Sequence, residues 1–200
     1  GGRFRIIDFT LSNCLHSGIN KICVLTQYKS HSLNRHLVKG WGKINSDRGD
    51  FLDIIPAQQW TDKETWFEGT ADAVFQSLDI IESYEPDYVI ILAGDHIYNM
   101  DYGEMLAEHV NTRADFSVAC MMVESEKAAN QFGVMSVDDS GRIIHFEEKP
   151  DEPMTIPGQK SMALASMGVY LVSSEYLLKS LKEDALSEVS AHDFGKDIIP

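Results

Sequence analysis

The fold is decided by residues 88–98, which read YVIILAGDHIY. This stretch begins as an unbroken apolar run with β-branched side chains, which is typical of a strand buried on both faces. Gly94 then allows the backbone to turn sharply, and Asp95 follows at the carboxyl end of the strand. Ligands bind at that edge in open α/β sheets, so Asp95 is a candidate ligand-binding carboxylate. The alternative is that Asp95 only caps the next turn.

Strands and helices alternate on either side of this stretch. Apolar segments with strand character occur at 21–26, 50–56 and 115–123. Helical patterns lie between them, and Gly18 and Gly40 are expected to end the first two helices. The alternation predicts an α/β class with a Rossmann-like, mostly parallel, doubly wound mixed sheet flanked by helices.

The spacing of apolar residues changes in the last third of the chain. Residues 134–147 predict a β-hairpin, because two apolar segments flank the turn residues 138–141. A strand is expected at 163–172, a helix near 175–181, and a further helix beginning near 192. No linker divides the chain, so the 200 residues suit one large domain or most of one.

The charge is strongly acidic but unevenly spread. The net charge is −14, whereas residues 1–48 alone carry a net +6. An acidic body disfavours nucleic-acid binding, which depends on neutralising phosphates. The basic N-terminal segment, residues 1–48, could attract a small polyanion, or it could simply form a solvated surface. No apolar run approaches the roughly 20 residues of a membrane span.

The three cysteines, Cys14, Cys23 and Cys120, form no CxxC or Cys/His cluster. Each lies among apolar residues, which predicts buried, reduced thiols in a cytosolic protein. The chain has no apolar signal segment and no initiator Met, so we expect a piece of a longer protein.

Four clusters could carry chemistry. Asp95 in the first could hold Mg²⁺, which prefers oxygen ligands and would arrive with a phosphate. In the second, residues 146–150, Lys149 could bind a phosphate while an acid binds sugar hydroxyls, although a solvated loop would look the same. Residues 165–170 allow a ligand close to a strand or only pack tightly, and Asp193 in 192–197 is a ligand or an ordinary helix cap.

Several enzyme classes lack their motifs in this sequence. It contains neither GxxxxGK[ST] nor GxGxxG for phosphate binding, and no GxSxG for acyl transfer. The seven histidines show no HxH or HExxH spacing for zinc.

Taken together, ten short motifs resemble the bacterial glucose-1-phosphate adenylyltransferase (ADP-glucose pyrophosphorylase) family. They are RIIDF at 5–9, SNC at 12–14, TQY at 26–28, PAQQ at 56–59, GTADA at 69–73, ILAGDHIY at 91–98, FGVM at 132–135, EKP at 148–150, ASMG at 165–168 and HDFGKD at 192–197. They occur in the family's order and cover essentially the whole chain.

The resemblance implies the nucleotide-diphospho-sugar transferase fold and a transferase of bacterial glycogen synthesis. The implied reaction is ATP plus glucose 1-phosphate giving ADP-glucose and pyrophosphate. Its in-line chemistry needs positioning and charge neutralisation more than covalent help.

The resemblance also assigns roles to individual residues. Asp95 would bind Mg²⁺ and, with Lys149, act in catalysis. Glucose 1-phosphate would be held by Tyr98, Gly133, Glu148, Lys149, Ser166 and Asp193. The adenine nucleotide would meet Gln58, Gln59, Trp66, Gly69 and Thr70.

Arg5 resembles an arginine of the family's allosteric effector site, which implies small-molecule effectors. The family is cytoplasmic and suggests a homotetramer when full length. Its glycine-rich phosphate loop would precede residue 1, and its second metal-binding acid and left-handed β-helix would follow residue 200. The chain, residues 1–200, is therefore expected to be a partial catalytic domain, inactive alone.

Three other interpretations remain open. One is a related sugar-phosphate nucleotidyltransferase that uses UTP, dTTP or GTP. Another is a non-catalytic regulatory subunit, against which Asp95, Glu148 and Lys149 argue. A generic nucleotide-binding module would explain the alternation of strands and helices but not the ordered motifs.

Overall fold

A computed structural model describes residues 4–27, 30–42, 50–57 and 67–200. The chain forms two compact units. The first comprises Gly1–Glu85 and Gly94–Glu104, and the second comprises Pro86–Ala93 and Met105–Pro200. None of the helices in the described part of the chain is long and apolar enough to cross a membrane.

The first unit contains four helices and two strands among its described residues. In chain order they are α1 (Ile6–His16), β1 (Lys21–Thr26), α2 (His31–Trp41), β2 (Phe51–Pro56), α3 (Thr70–Phe75) and α4 (Leu78–Ser83). Strands β1 and β2 pair in parallel, with Lys21 opposite Phe51 and Thr26 opposite Pro56. One core cluster is built on Leu11, Val24 and Leu37, which come from α1, β1 and α2.

The ends of the first two helices differ in part from prediction. α1 begins at Ile6, and the Arg5 backbone N–H donates to the Asp8 carboxylate at 2.7 Å, which closes the first turn. Gly18 follows the helix at φ 75°, as expected of a stop residue. Gly40 does not end α2, which continues to Trp41 because its last turn packs on the core through that indole.

The remaining elements are mostly those of the second unit. They are β3 (Tyr88–Leu92), α5 (Tyr102–Thr112), β4 (Phe116–Glu124), α6 (Ser125–Ala128), β5 (Gly133–Val137), β6 (Ile143–Glu148), β7 (Met162–Ser173), α7 (Ser174–Asp184) and a short π-helical turn, Phe194–Ile198. The strands form a five-stranded sheet in the order β3-β7-β5-β6, with β4 paired to the other side of β7.

The mixed α/β class with helices around the strands is confirmed, but the strand order is not the doubly wound parallel one. β3 and β4 point the same way, as a strand-helix-strand crossover requires. The long strand β7 lies between them and runs antiparallel to both. Among the described strands, parallel pairing occurs only between β1 and β2.

β3 is less buried than its apolar sequence predicts. Its residues from Val89 to Leu92 are half-buried and Tyr88 is exposed. Among the described strands it pairs with β7 alone. The expectation of complete burial on both faces is therefore wrong.

The cysteines are free, as predicted, but not all are buried. Cys14 is buried, Cys23 is half-buried and Cys120 is exposed. Burial raises the pKa of Cys14 and of Cys23 to about 11, the latter with a smaller contribution from Asp53. The prediction fails for Cys120, which lies in an exposed run of β4 at 120–122; among the described strands, β4 pairs with β7 alone.

Candidate functional site

Glu148 and Lys149 lie at the end of the β5–β6 hairpin. Strand register puts Glu148 directly opposite Gly133. Lys149 leaves the strand at φ 50°, and its N–H donates to the Phe132 carbonyl at 3.2 Å. This left-handed residue turns the chain so that the Lys149 ammonium returns to within 3.7 Å of the Glu148 carboxylate. The hairpin thus presents one acid and one cation side by side.

Two glycines leave space for the Glu148 side chain. A Cβ on Gly133 would lie 2.7 Å from Glu148 Oε2, and one on Gly195 would lie 2.5 Å from the same atom. Real Cβ atoms essentially never approach so closely. Any larger residue at either position would therefore displace the carboxylate.

Asp193 reaches the same carboxylate from the last helical turn. Its Oδ1 accepts a hydrogen bond from the Gly195 N–H at 2.9 Å, which caps the turn. Its own N–H donates to Asp197 Oδ2 at 3.0 Å. The turn is held on the sheet by Phe194, which is 1% exposed and whose ring centroid lies 5.6 Å from that of Tyr170.

The electrostatics show that these groups share one environment. Burial raises the pKa of Glu148, and the negative charge of Asp193 adds to this, whereas Lys149 and Lys196 oppose it. Burial likewise raises the pKa of Tyr170, with smaller contributions from Glu148 and Asp193. The site therefore combines two carboxylates and a phenol with two ammonium groups near Glu148. Such a set suits a ligand that has both hydroxyl groups and negative charge, such as a sugar phosphate.

Ser166 belongs to this environment through Tyr170. Ser166 is 7% exposed, and its side chain opposes part of the rise that burial causes in the pKa of Tyr170. Its Oγ also accepts from the Gly168 N–H at 3.2 Å, and Gly168 has φ 62°. The Gly168 carbonyl in turn accepts from the Ala93 N–H at 3.0 Å, just past β3.

The second unit therefore brings together five residues that the sequence predicts as sugar-phosphate ligands. They are Gly133, Glu148, Lys149, Ser166 and Asp193. Tyr170 ends the 165–170 cluster but is not among the predicted ligands, and the positional role of Gly195 was missed. The local signal for Tyr170 was its place in that cluster, although Gly168, at φ 62°, interrupts the regular alternation of β7. The need for a glycine at position 195 had no local signal, since it depends on Glu148, which is distant in sequence.

Asp95 and Tyr98 lie in the first unit. The Asp95 side chain is 87% exposed, and its Oδ1 accepts from His96 Nδ1 at 2.9 Å. The His96 ring stacks on Tyr98 with centroids 5.0 Å apart. Tyr98 is fixed in turn by its carbonyl, which accepts from Asn13 Nδ2 at 3.0 Å, and by its hydroxyl, which lies 2.7 Å from that of Tyr102. That Asp95 shares a pocket with Glu148 and Lys149 stays a prediction.

Asp95 has the chemistry of a Mg²⁺ ligand but cannot hold the ion by itself. Among the described residues, no three His, Cys, Asp or Glu side chains are grouped so as to bind a metal. Mg²⁺ commonly uses one or two protein carboxylates and completes its shell with water and substrate phosphates. An exposed carboxylate such as Asp95 fits that kind of site.

The predicted adenine contacts are only partly described. Gln58, Gln59 and Trp66 lie outside the described residues. Thr70 opens α3 rather than capping it, and Gly69 is the cap residue. The start of this helix is closed by Asp72, whose Oδ2 accepts from the Glu68 N–H at 2.9 Å. The roles of Gly69 and Thr70 in nucleotide binding stay predictions.

Arg5 lines a cationic cleft within the first unit. The cleft measures about 350 Å³ and is lined by Arg5, Ser32, Arg35, His36, Lys39 and Gly40. The Arg5 guanidinium donates to Ser32 Oγ at 2.7 Å and so spans from α1 to α2. Three permanent cations make this cleft suited to an anion.

A buried carboxylate fixes one wall of that cleft. Asp8 accepts hydrogen bonds from His36 Nε2 and Trp41 Nε1, each at 2.7 Å, and from the Arg5 N–H. Burial alone would raise the pKa of Asp8, but these three donors lower it below its usual value. Asp8 therefore joins α1 to α2 and orients both Arg5 and His36.

Comparison with known proteins gives consistent matches over this whole chain. The family described as nucleotidyl transferase matches residues 1–200. Glucose-1-phosphate adenylyltransferase 2 of Alkalilimnicola ehrlichii is 60% identical over all of this chain and 47% of its own length. The glucose-1-phosphate adenylyltransferases of Paramagnetospirillum magneticum and Thiobacillus denitrificans are 53% and 56% identical over 46% and 45% of theirs. The chain thus spans about half the length of the curated relatives it matches.

Proposed function

The chain belongs to the nucleotidyl transferase family, and from that premise we propose that the full-length protein transfers an adenylyl group from ATP to glucose 1-phosphate. The products are ADP-glucose and pyrophosphate, as the names of the similar proteins suggest. The observation that carries this proposal is the grouping of Glu148, Lys149 and Asp193 in one unit, where acids and a cation meet.

The two ends of a sugar phosphate need different partners. Lys149 is 57% exposed at its side chain, so its ammonium can reach a phosphate without leaving the hairpin. Glu148 is only 19% exposed there, and its carboxylate accepts hydrogen bonds from sugar hydroxyls. Tyr170, Ser166 and Asp193 supply further hydroxyl and carboxylate groups for the ring.

The transfer itself is a displacement at phosphorus. A phosphate oxygen of glucose 1-phosphate forms a bond to the α-phosphorus of ATP, and the bond from that phosphorus to the bridging oxygen breaks. The electron pair leaves with pyrophosphate, so no covalent enzyme intermediate is needed. Lys149 holds the attacking phosphate and reduces the repulsion between two anions, which favours the in-line approach.

We place Mg²⁺ at Asp95. When bound with substrate, the ion neutralises charge on the phosphates of ATP. Asp95 contributes one carboxylate, oriented by its hydrogen bond to His96. Glucose 1-phosphate also meets Tyr98, whose position depends on Asn13.

The cationic cleft is proposed as the effector site. Its Arg5, Arg35 and Lys39 side chains favour a small phosphorylated or carboxylated metabolite over a neutral one. The resemblance to cytoplasmic, homotetrameric enzymes of glycogen synthesis supports the same state and location for the full-length protein.

The decisive assay is pyrophosphate release by the full-length protein. We expect release with ATP and glucose 1-phosphate, and a response to fructose 1,6-bisphosphate, fructose 6-phosphate or pyruvate. Higher activity with UTP, dTTP or GTP would instead favour a related nucleotidyltransferase. No release with any of the four nucleotides would favour a regulatory subunit.

A further inference from the structure

The loop before Asp193 is held by a carboxylate that no part of the proposed function uses. Asp184 is the last residue of α7, and its side chain is 8% exposed. Its Oδ1 accepts from Ser190 Oγ at 2.6 Å, and its Oδ2 lies 2.7 Å from His192 Nδ1. These three residues, Asp184, Ser190 and His192, form the Asp184 clamp.

Asp184 is in an electrostatically poor position for an acid. The C-terminal end of a helix carries partial negative charge, which disfavours a carboxylate there. Burial adds a desolvation cost. Both costs are offset by the two hydrogen bonds to the loop, so the loop and the carboxylate depend on each other.

His192 is also held in an uncommon conformation. Its φ is 52°, in the left-handed region that non-glycine residues rarely adopt. Two contacts fix it there, namely the ring bond to Asp184 and the backbone N–H, which donates to Ser190 Oγ at 2.9 Å. Because Asp193 is the next residue, the direction in which it leaves the loop is set by this conformation.

The other side of Asp193 is fixed as well. Its N–H and carbonyl are both bonded to Asp197, at 3.0 and 2.9 Å. Asp193 is close enough to Glu148 to raise the pKa of that carboxyl. Any rotation of the loop would therefore change the separation of the two carboxylates that are proposed to bind sugar hydroxyls.

We infer that Asp184, Ser190 and His192 are positioning residues for the glucose 1-phosphate site, acting through the orientation of Asp193. This inference rests on the proposed function. It assigns a role in substrate affinity to a buried residue that has no direct contact with the ligand.

The test is steady-state kinetics of the full-length protein, with ATP and glucose 1-phosphate varied in turn. Asp184→Asn keeps the size of the side chain but replaces one acceptor oxygen by a donor. We expect its KM for glucose 1-phosphate to rise about tenfold, which equals about 1.4 kcal/mol. The KM for ATP and kcat should change less than about twofold.

Matched variants separate positioning from general destabilisation. Asp138→Asn is the control, because Asp138, like Asp184, accepts hydrogen bonds from nearby residues, three in its case, but lies in the β5–β6 turn, at the opposite end of β6 from Glu148. It should leave both KM values unchanged. Ser190→Ala should raise the KM for glucose 1-phosphate, and Ser190→Thr should restore it, because it returns the hydroxyl. The serine pair decides the question if Asp184→Asn does not fold.

A double-mutant cycle identifies the route of the effect. In an Asp193→Asn background, Asp184→Asn should lower kcat/KM for glucose 1-phosphate by less than about twofold, since the residue it positions has already been altered. An undiminished tenfold loss would overturn the inference, as would unchanged KM values in an active Ser190→Ala protein. An unmutated protein that releases no pyrophosphate from these substrates would refute the proposed function itself, and the inference with it.

Discussion

The Glu148 carboxylate occupies the space that a side chain at Gly195 would need. A Cβ at that position would lie 2.5 Å from Oε2 and 2.9 Å from the carboxyl carbon. Gly195 belongs to the Phe194–Ile198 turn and Glu148 ends β6, so a contact between sequence-distant elements fixes the acid. A single methyl group can therefore test whether the position of Glu148 matters.

Gly195→Ala should weaken glucose 1-phosphate binding while preserving the fold. The clash is with the end of a flexible side chain, so Glu148 can rotate away at a cost of about 1 kcal/mol. We expect about a tenfold rise in the KM for glucose 1-phosphate, measured by pyrophosphate release. Gly158→Ala is the control, because it strains a residue at φ 81° that has nothing within 4 Å of its Cβ. Equal KM values in the two variants would argue against a role for Glu148.

Lys149→Ala should affect one substrate far more than the other. Removing the ammonium takes away the cation proposed to hold the sugar phosphate, so we expect the KM for glucose 1-phosphate to rise at least tenfold, or about 1.4 kcal/mol. The KM for ATP should stay within about twofold. Lys127→Ala is the matched control, since Lys127 is an exposed lysine of the same unit, paired with Glu124 at 2.9 Å. Similar losses for both substrates would contradict the assignment of Lys149.

Asp95→Asn should act on turnover. The amide keeps the shape of the side chain but loses the charge that Mg²⁺ needs, so we expect kcat to fall at least about 100-fold. Asp101→Asn provides the comparison, because that nearby acid caps α5 by accepting from the Gly103 N–H at 2.8 Å. A near-normal kcat for Asp95→Asn across a Mg²⁺ titration would remove Asp95 from the metal site.

Much of the second unit could be predicted from local sequence. The β5–β6 hairpin, β7 and α7 are confirmed because their signals, the turn residues and the apolar periodicity, lie within the elements themselves. The strand order could not be predicted in this way. β7 follows β3 by some 70 residues in sequence, and nothing near β3 indicates that an antiparallel strand lies beside it.

The candidate site shows the same division. Ordered motifs predicted Glu148, Lys149 and Asp193, and the structure groups them in one unit. The remaining features of the site depend on side-chain contacts between distant elements. They include the requirement for glycine at position 195 and the Asp184 clamp. Such requirements produce no periodic pattern in the sequence, because each depends on a single contact between distant residues.

Neutralising the cationic cleft should change regulation. Lys39→Gln or Arg35→Gln removes one positive charge from a cleft of three permanent cations. We expect the half-effect concentration of the responsive metabolite to rise about tenfold, with a smaller response as ionic strength increases. Lys160→Gln is the control, because it removes an exposed lysine from the other unit. An unaltered half-effect concentration would exclude this cleft as the effector site.

Stability should rise with pH across the range in which buried His109 titrates. The side chain is 1% exposed, its Nδ1 lies 2.7 Å from Ser117 Oγ, and burial lowers its pKa, with Asp115 opposing in part. The unfolded histidine, with a pKa near 6.5, binds more protons than the folded one. The contribution of His109 is therefore complete above about pH 6.5 and is lost as pH falls below it.

The His109→Gln substitution should flatten the dependence of the urea midpoint on pH between about pH 5 and pH 7. His145→Gln should not, because His145 is an exposed residue of β6. Parallel profiles for His109→Gln and the unmutated protein would show that His109 is not the titrating group.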